Sequence, residues 1–389
     1  MSYQNLSGNW NYPNNLRTGA GRIAELAQCC QELGMSSPLL ITDSGLANLP
    51  MVKNAVQSCI DAGLSCGLFS QIKSNPNGEN VIDGVAAYHA GNHDGVIAFG
   101  GGSGLDAAKA VALMVGQKLP LWDFEDVGDN YLKVIEEGVA PIIAVPTTAG
   151  TGSEVGRASV ITDEKEHIKR IIFHPLMLPT IVILDPELTV GLPPHITAAT
   201  GMDALSHNLE ALCSPFYHPL AEGIAVEGIR LVKEYLPTAV SNGADIEART
   251  QMLVASTMGA TAFQKGLGGM HALAHPLGAL YDAHHGLLNA ILMPYVLKAN
   301  QGEISERIER VARYIDLEDC SFDGFLNWVL QIREDLNIPH TLKEIDIDVD
   351  QQSLVAIMAT EDPSAGGNPI KFTTDQYQQI FINAVTGKL

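Results

Sequence analysis

Asp203 and His207 stand four residues apart in GMDALSHNLEAL, and His271 and His275 stand four apart in HALAHPLGALYDAHH, a stretch over residues 271 to 285 that also holds His284 and His285. On a helix that spacing puts both members of a pair on one face. His285 lies fourteen residues beyond His271, with Pro276 and Gly278 between them to turn the chain back. One such pair alone reads more readily as a helix-surface hydrogen bond. Together they offer three imidazoles and a carboxylate, a set that suits a divalent transition metal such as Fe2+ or Zn2+. His207, His271, His275 and His285 are one imidazole more than that set needs, so one is available for chemistry instead of coordination.

Two kinds of element must position these residues. After a turn cluster at Leu192 to Pro194 the sequence reads helical almost throughout, as in ITAATGMDALSHNLEALC and ADIEARTQMLVASTMGATAFQ. Before it, the β-branched runs PLLITD, GVIAFG, APIIAVPTT and TIVILD alternate with helix-period segments such as MVKNAVQSCIDAGL and LDAAKAVALMVG. That alternation predicts βαβ units around a parallel sheet. The expected organisation is therefore an α/β domain over residues 1–192 and an all-helical domain over 193–389, with no internal repeat or low-complexity tract.

The α/β half carries a candidate site of its own. In GVIAFGGGSGLDAAKAVAL an apolar strand runs through Gly100, Gly101, Gly102, Ser103 and Gly104 into a helix. Glycines let backbone N–H groups approach an anion closely, and a helix N-terminus adds partial positive charge, so a phosphate fits there. The loop PTTAGTGSE (146–154) follows another strand and either wraps the same ligand with its threonines or forms a surface turn. An acid that holds a ribose ordinarily follows the glycine loop by about twenty residues. Here the best candidate, Asp43, comes before it.

Composition excludes several classes. The 389 residues, 46% of them hydrophobic, can bury a large core. With 23 basic against 44 acidic residues the formal charge is −21, which repels nucleic acid and anionic lipid. The opening MSYQNLSGNWNYP lacks the basic flank and apolar run of a signal peptide, and no eighteen apolar residues run together, so a cytoplasmic chain without membrane partners is expected. The six cysteines form no CxxC pair and read as reduced, buried filler.

The segments GGGSGLDAAK, PTTAGTGSE, DALSH and HALAHPLGALYDAHHG, in this order and at about these separations, resemble the signatures of the iron-containing (group III) alcohol dehydrogenase family over almost the whole chain. The resemblance implies an N-terminal NAD(P)-binding α/β domain with a parallel sheet and an all-α metal-binding domain, the architecture shared with dehydroquinate synthase. It implies that Asp203, His207, His271 and His285 hold the metal and that His275 is the spare histidine, near substrate and nicotinamide. It places Gly101, Gly102 and Ser103 on the pyrophosphate, with Asp106 and Lys109 completing the motif, and Thr147, Thr148, Thr151, Val160 and Lys169 along the nicotinamide half. Asp43 matches the acid that contacts the adenosine ribose, where a carboxylate repels a 2′-phosphate and so favours NAD over NADP. A homodimer or larger homo-oligomer is expected as well.

The implied chemistry is hydride transfer between nicotinamide and a primary or short-chain alcohol or aldehyde. An alcohol gives up hydride easily only as its alkoxide, and a bound dication lowers the pKa of a hydroxyl. The metal acts as a Lewis acid, and His275 relays the proton, or instead only orients a ligand or the cofactor. A hydroxyacid–oxoacid transhydrogenase and a dehydroquinate-synthase-like lyase are the alternatives. His284 should point away from the metal, while His167, His174, His195 and His218 have no partner spacing. Phe263, Gln264 and Lys265 are expected to shape the substrate pocket, with Lys265 either attracting an acidic substrate or lying on the surface.

Overall fold

The computed structural model describes residues 14–166 and 168–389; the N-terminal 13 residues, read above for a leader, and His167 lie outside the described residues. The described chain forms two compact units. The first comprises the described residues up to Thr148 together with Gly152–Gly191. Its strands are β1 (Asn15–Thr18), β2 (Pro38–Asp43), β3 (Gly67–Ile72), β4 (Gly95–Gly100), β5 (Ile142–Pro146), β6 (Ala158–Asp163), β7 (Ile168–Phe173) and β8 (Ile181–Leu184), and its helices are α1 (Leu26–Glu32), α2 (Pro50–Asp61), α3 (Gly78–Ala90) and α4 (Gly102–Met114).

Six strands form one sheet in the order β1-β8-β5-β4-β2-β3, with every neighbouring pair parallel. The central strands β4, β5 and β8 are apolar and buried along their whole length, as strands covered on both faces must be. From β2 the chain steps outward to β3 and then returns to place β4 on the other side of β2, pairing Pro38 with Gly95 and Ile41 with Ala98. This reversal is a topological switch point, where doubly wound sheets open a crevice at their carboxyl ends. Asp43 and Gly100 end the two strands that flank it. Gly100, at φ +142°, makes the turn into α4 that a side-chain-bearing residue rarely adopts. The antiparallel hairpin β6–β7 stands apart from the sheet.

The second unit, Ala149–Thr151 with Leu192–Leu389 among the described residues, contains α5 (Pro194–Cys213), α6 (Pro219–Ser241), α7 (Ile246–Ala262), α8 (Gly269–Tyr281), α9 (His285–Tyr314), α10 (Phe322–Asp335), α11 (Gln352–Glu361) and α12 (Thr374–Thr386). Helix α5 is its axis: residues 197–213 are all buried, and α6, α7 and α9 pack around it. Such all-round burial explains why α5 carries small alanines beside its polar residues. The chain does not turn at Pro276 or Gly278 as the sequence suggested; α8 runs through both and ends where Asp282 takes a left-handed φ of 51°. No helix among the described residues is long and apolar enough to cross a membrane.

Candidate metal centre

Helix α5 contributes Asp203 and His207, one turn apart, α8 contributes His271 from its first turn, and α9 begins with His285. One ligand atom from each of the four lies within 4.8 Å of the others. Around Asp203 Oδ1, His285 Nε2 is at 3.7 Å and the Nε2 atoms of His207 and His271 are both at 4.0 Å. The rings of His207 and His271 stack at 4.8 Å. Gly286 permits this convergence, since a Cβ there would lie 2.5 Å from the Ala199 carbonyl oxygen on α5.

Each ring is turned by what its other nitrogen meets. His207 Nδ1 donates to the Gly150 carbonyl at 3.2 Å, and Gly150 approaches α5 so closely that a Cβ would stand 2.8 Å from Thr200 Cβ. His271 Nδ1 meets Glu210 Oε2 at 2.7 Å. Burial, with His207 beside it, holds His271 well below its ordinary pKa, so its ring is neutral and keeps a lone pair. Burial pushes the Glu210 carboxyl up to about 7, against backbone N–H donors that pull it down.

The donor set fits a divalent cation. Asp203 is a buried carboxylate whose ion partners among the described residues are three imidazoles. The fully buried Asn289 turns its amide nitrogen into this set, 2.8 Å from Asp203 Oδ1, 3.1 Å from His271 Nε2 and 3.2 Å from His285 Nε2. Its Oδ1 has no hydrogen-bond partner among the described residues. Several acceptors converging on one neutral N–H group is what a cation would satisfy better, and nitrogen and oxygen donors of this kind take Fe2+ or Zn2+.

His275 stands beside the set, its ring 5.4 Å from that of His285 and 5.9 Å from that of His271. Its Nδ1 is 2.8 Å from Asp362 Oδ2. Burial raises the Asp362 carboxyl, but His275 and the Ser364 N–H outweigh it and leave the group below its usual range. Phe263 packs edge-on to His207 at 5.1 Å, an apolar wall next to the donors, and Gln264 is exposed. Lys265 is not on the surface. It is buried, donates to the Leu212 carbonyl at the end of α5 and pairs with Glu222 at 2.8 Å. Of the other histidines, His174, His218 and His284 accept backbone N–H groups as N-caps, and His195 is exposed.

In the first unit Asp43, Gly101, Gly102, Ser103, Thr147 and Thr148 lie at or just beyond strand ends. Asp43 closes β2, where its Oδ1 accepts the Gly45 and Leu46 N–H groups at 2.9 and 3.1 Å. Gly101 caps α4, and Gly102 and Ser103 open it, with N–H groups that no earlier turn can satisfy. The Ser103 hydroxyl donates to the Ser74 carbonyl. Thr147 and Thr148 follow β5, and a Cβ on Gly101 would lie 3.3 Å from Thr148 Oγ1. An open cavity of about 340 Å³ beside the ends of β2 and β3 is lined by Ser44, Ile72, Lys73, Asn80 and Asp83. Asp106 and Lys109 face inward. Asp106 accepts the Ser153 hydroxyl and the Val160 N–H, and Lys109, buried, donates to the carbonyls of Ser153 and Ala158. Lys169, opposite Thr162 on the hairpin, donates to Asn75 Oδ1 at 3.1 Å. Thr151 lies in the short stretch that belongs to the second unit.

Sequence reasoning on histidine spacing missed Glu210, Asn289 and Asp362. Glu210 follows His207 by three residues and Asn289 follows His285 by four, so helical periodicity held the signal for both. Asp362 is 87 residues from His275 and offered none.

Residues 13–186 match the model of the family described as iron-containing alcohol dehydrogenase, and residues 197–385 match that described as Fe-containing alcohol dehydrogenase family, C-terminal. A 4-hydroxybutyrate dehydrogenase of Cupriavidus necator is 35% identical, covering 95% of this chain and 97% of its own. An NAD-dependent methanol dehydrogenase of Bacillus methanolicus is 33% identical, covering 94% and 97%. The crystal structure of a 1,3-propanediol oxidoreductase superimposes with a TM-score of 0.92 at 32% identity, covering 97% of this chain and all of that one.

Proposed function

The chain belongs to the iron-containing alcohol dehydrogenase family, and from that membership we propose that it moves hydride between a primary alcohol or its aldehyde and NAD(H), using a divalent metal held by Asp203, His207, His271 and His285. It is an oxidoreductase acting on alcohols. The observation that carries the site assignment is the convergence of those four donors beside one polar pair, His275 with Asp362, that the metal does not need. Methanol, 4-hydroxybutyrate and 1,3-propanediol, named in the relatives, all present a terminal hydroxyl, which supports a primary alcohol here.

When bound, the cation lowers the pKa of the substrate hydroxyl and polarises the carbonyl in the reverse direction, while the nicotinamide accepts or returns hydride. Phe263 gives the reacting carbon an apolar neighbour. His275 takes the hydroxyl proton in oxidation and returns it in reduction. Its Nδ1–H is committed to Asp362, so Nε2 is the atom with a lone pair to receive the proton. Asp362 stabilises the imidazolium that results. We assign residues 1–192 to cofactor binding and 193–389 to the metal. Gly101, Gly102 and Ser103 lie on the pyrophosphate, and Thr147, Thr148, Thr151, Val160 and Lys169 line the nicotinamide half. Asp43 takes the adenosine ribose and disfavours NADP. In this reading Asp106 and Lys109 act through the loop they hold, Ser153 to Val160, and not by touching the cofactor. The same donors bind Zn2+ more tightly than Fe2+ by the Irving–Williams order, so occupancy follows supply. Self-association as a homodimer or larger oligomer in the cytoplasm is part of this reading, and light scattering tests the former.

The test is NADH oxidation by metal-stripped protein reconstituted separately with Fe2+ and Zn2+, against short aldehydes, with His271→Ala as control. Metal-dependent turnover that the control lacks is the expected result. Turnover that survives metal removal would overturn the proposal.

A further inference from the structure

We propose that Glu210 is a positioning residue that sets the affinity of the metal centre by locking His271 in the tautomer whose Nε2 can ligate; the inference rests on the metal-centre reading above. Glu210 lies on α5 seven residues after Asp203 and three after His207, on the same helical face. Its buried carboxylate accepts three N–H groups from one short segment: Gly268 N at 2.8 Å and His271 Nδ1 at 2.7 Å on Oε2, and Met270 N at 2.6 Å on Oε1. The approach is close: a Cβ on Gly268 would lie 3.0 Å from Glu210 Oε1, tighter than ordinary contact, so glycine leaves the carboxylate room.

Both carboxylate oxygens are aimed at N–H donors, Oε2 at Gly268 N and Oε1 at Met270 N, so the group is placed as an acceptor and the hydrogen of the 2.7 Å contact is assigned to Nδ1. A neutral imidazole carries one N–H, which leaves the lone pair on Nε2, the atom that faces Asp203 Oδ1 at 4.0 Å. The same carboxylate ties the start of α8 to α5, so two ligands on α5 and one on α8 are held at a fixed spacing by one group.

A bare helix cap is the competing role, and the fold supplies its control. Asn368 Oδ1 accepts the Gly269 N–H at 3.0 Å at the same helix start, and its other partners are Asn300 and the Ile370 carbonyl. Glu210→Gln has one oxygen for three N–H donors: on the Oε2 side it leaves the Met270 N–H against the amide nitrogen, and on the Oε1 side it leaves the Gly268 N–H and His271 Nδ1 against it, so the hold on the ring is weakened in either orientation. The experiment titrates metal-stripped full-length protein with Co2+ against a chromophoric chelator, reads the d–d absorption of the loaded protein, and follows thermal unfolding of the metal-free protein. Glu210→Gln should bind Co2+ about 10- to 100-fold more weakly, with an altered absorption band as the hold on one nitrogen donor weakens. Asn368→Ala should lower the melting temperature and leave the Co2+ affinity within about twofold. If Glu210→Gln does not fold, Glu210→Asp, which keeps the charge and withdraws it by one methylene, should show a smaller loss in the same direction. Unchanged affinity and absorption in the Glu210 variants, or an equal loss in Asn368→Ala, overturns the inference. Wild-type protein that takes up no Co2+ overturns the metal-centre reading itself.

Discussion

Asp362→Asn tests whether His275 moves a proton. The substitution keeps the side chain's size and one of its two contacts, because the Oδ1 that accepts the Ser364 N–H at 2.8 Å can remain a carbonyl oxygen. The other contact inverts. An amide NH2 then faces His275 Nδ1, two donors cannot share a bond, and the ring hydrogen moves to Nε2, the atom that should receive the substrate proton. The magnitude follows from the pair's setting: at 2.8 Å, with side chains 15% and 11% exposed, solvent screens the charge-assisted bond little. Losing such a bond costs about 1.5–3 kcal/mol, or roughly 10- to 150-fold in kcat. The assay is steady-state oxidation of a primary alcohol at saturating NAD, with metal content measured on the same samples. In a His275→Ala background the second change should cost less than about twofold, since the two residues act as one unit. A kcat within twofold of the parent, or a loss that only tracks lost metal, would refute the relay.

Chelation should lower the melting temperature by about 5–10 °C, because metal at 100 times its Kd stabilises by about 2.7 kcal/mol and each kcal/mol is worth about 2–4 °C in a domain of this size; a melting curve indifferent to chelator and to added Fe2+ or Zn2+ would count against the centre. Asp43→Asn keeps an acceptor for the Gly45 and Leu46 N–H groups and removes the charge that opposes a 2′-phosphate. The ratio of kcat/KM for NADPH to that for NADH should rise about tenfold, equivalent to about 1.4 kcal/mol, and an unmoved ratio would put the ribose elsewhere. Gly286→Ala sets a Cβ 2.5 Å from the Ala199 carbonyl and 3.1 Å from Asp203 Cβ. Backbone cannot give there, so about 1–3 kcal/mol of stability should be lost with the metal affinity, as scanning calorimetry and metal titration would record.

Strands with an unbroken apolar run were easy to read in the sequence and interleaved ones were not. PLLITD, GVIAFG and APIIAVPTT are short apolar runs bounded by turn residues, and they became β2, β4 and β5. GLFSQI at β3 interleaves polar residues on the sheet's outer edge, and the hairpin β6–β7 carries Lys169 and Arg170 in mid-strand, so neither has the uninterrupted character of a covered strand. The topology gives the reversed order of the motifs a physical reason. Asp43 precedes the glycine loop in sequence, yet β2 and β4 are neighbours across the switch point, so the acid and the loop meet although their order is reversed.

The site shows the same division between what is local and what only packing decides. Four-residue spacings disclosed Asp203 with His207 and drew attention to the cluster from His271 to His285, because helix geometry alone turns such residues to one side. Nothing local separates His271 from His275 as ligand and relay. In the function proposed above that choice falls to their Nδ1 partners: Glu210, on the helix that carries Asp203 and His207, and Asp362, on a turn 87 residues away. Lysines show the difference most clearly. Lys109 and Lys265 both sit near glycines and both read as candidates to meet a ligand, yet each is buried against main-chain carbonyls, the first holding the loop after Ser153 and the second the end of α5. A cation satisfied by carbonyls at a helix C-terminus complements the helix dipole and stays with the fold. By that reasoning neither lysine is left to supply positive charge to a ligand, and in the function proposed above that charge is the metal's to supply.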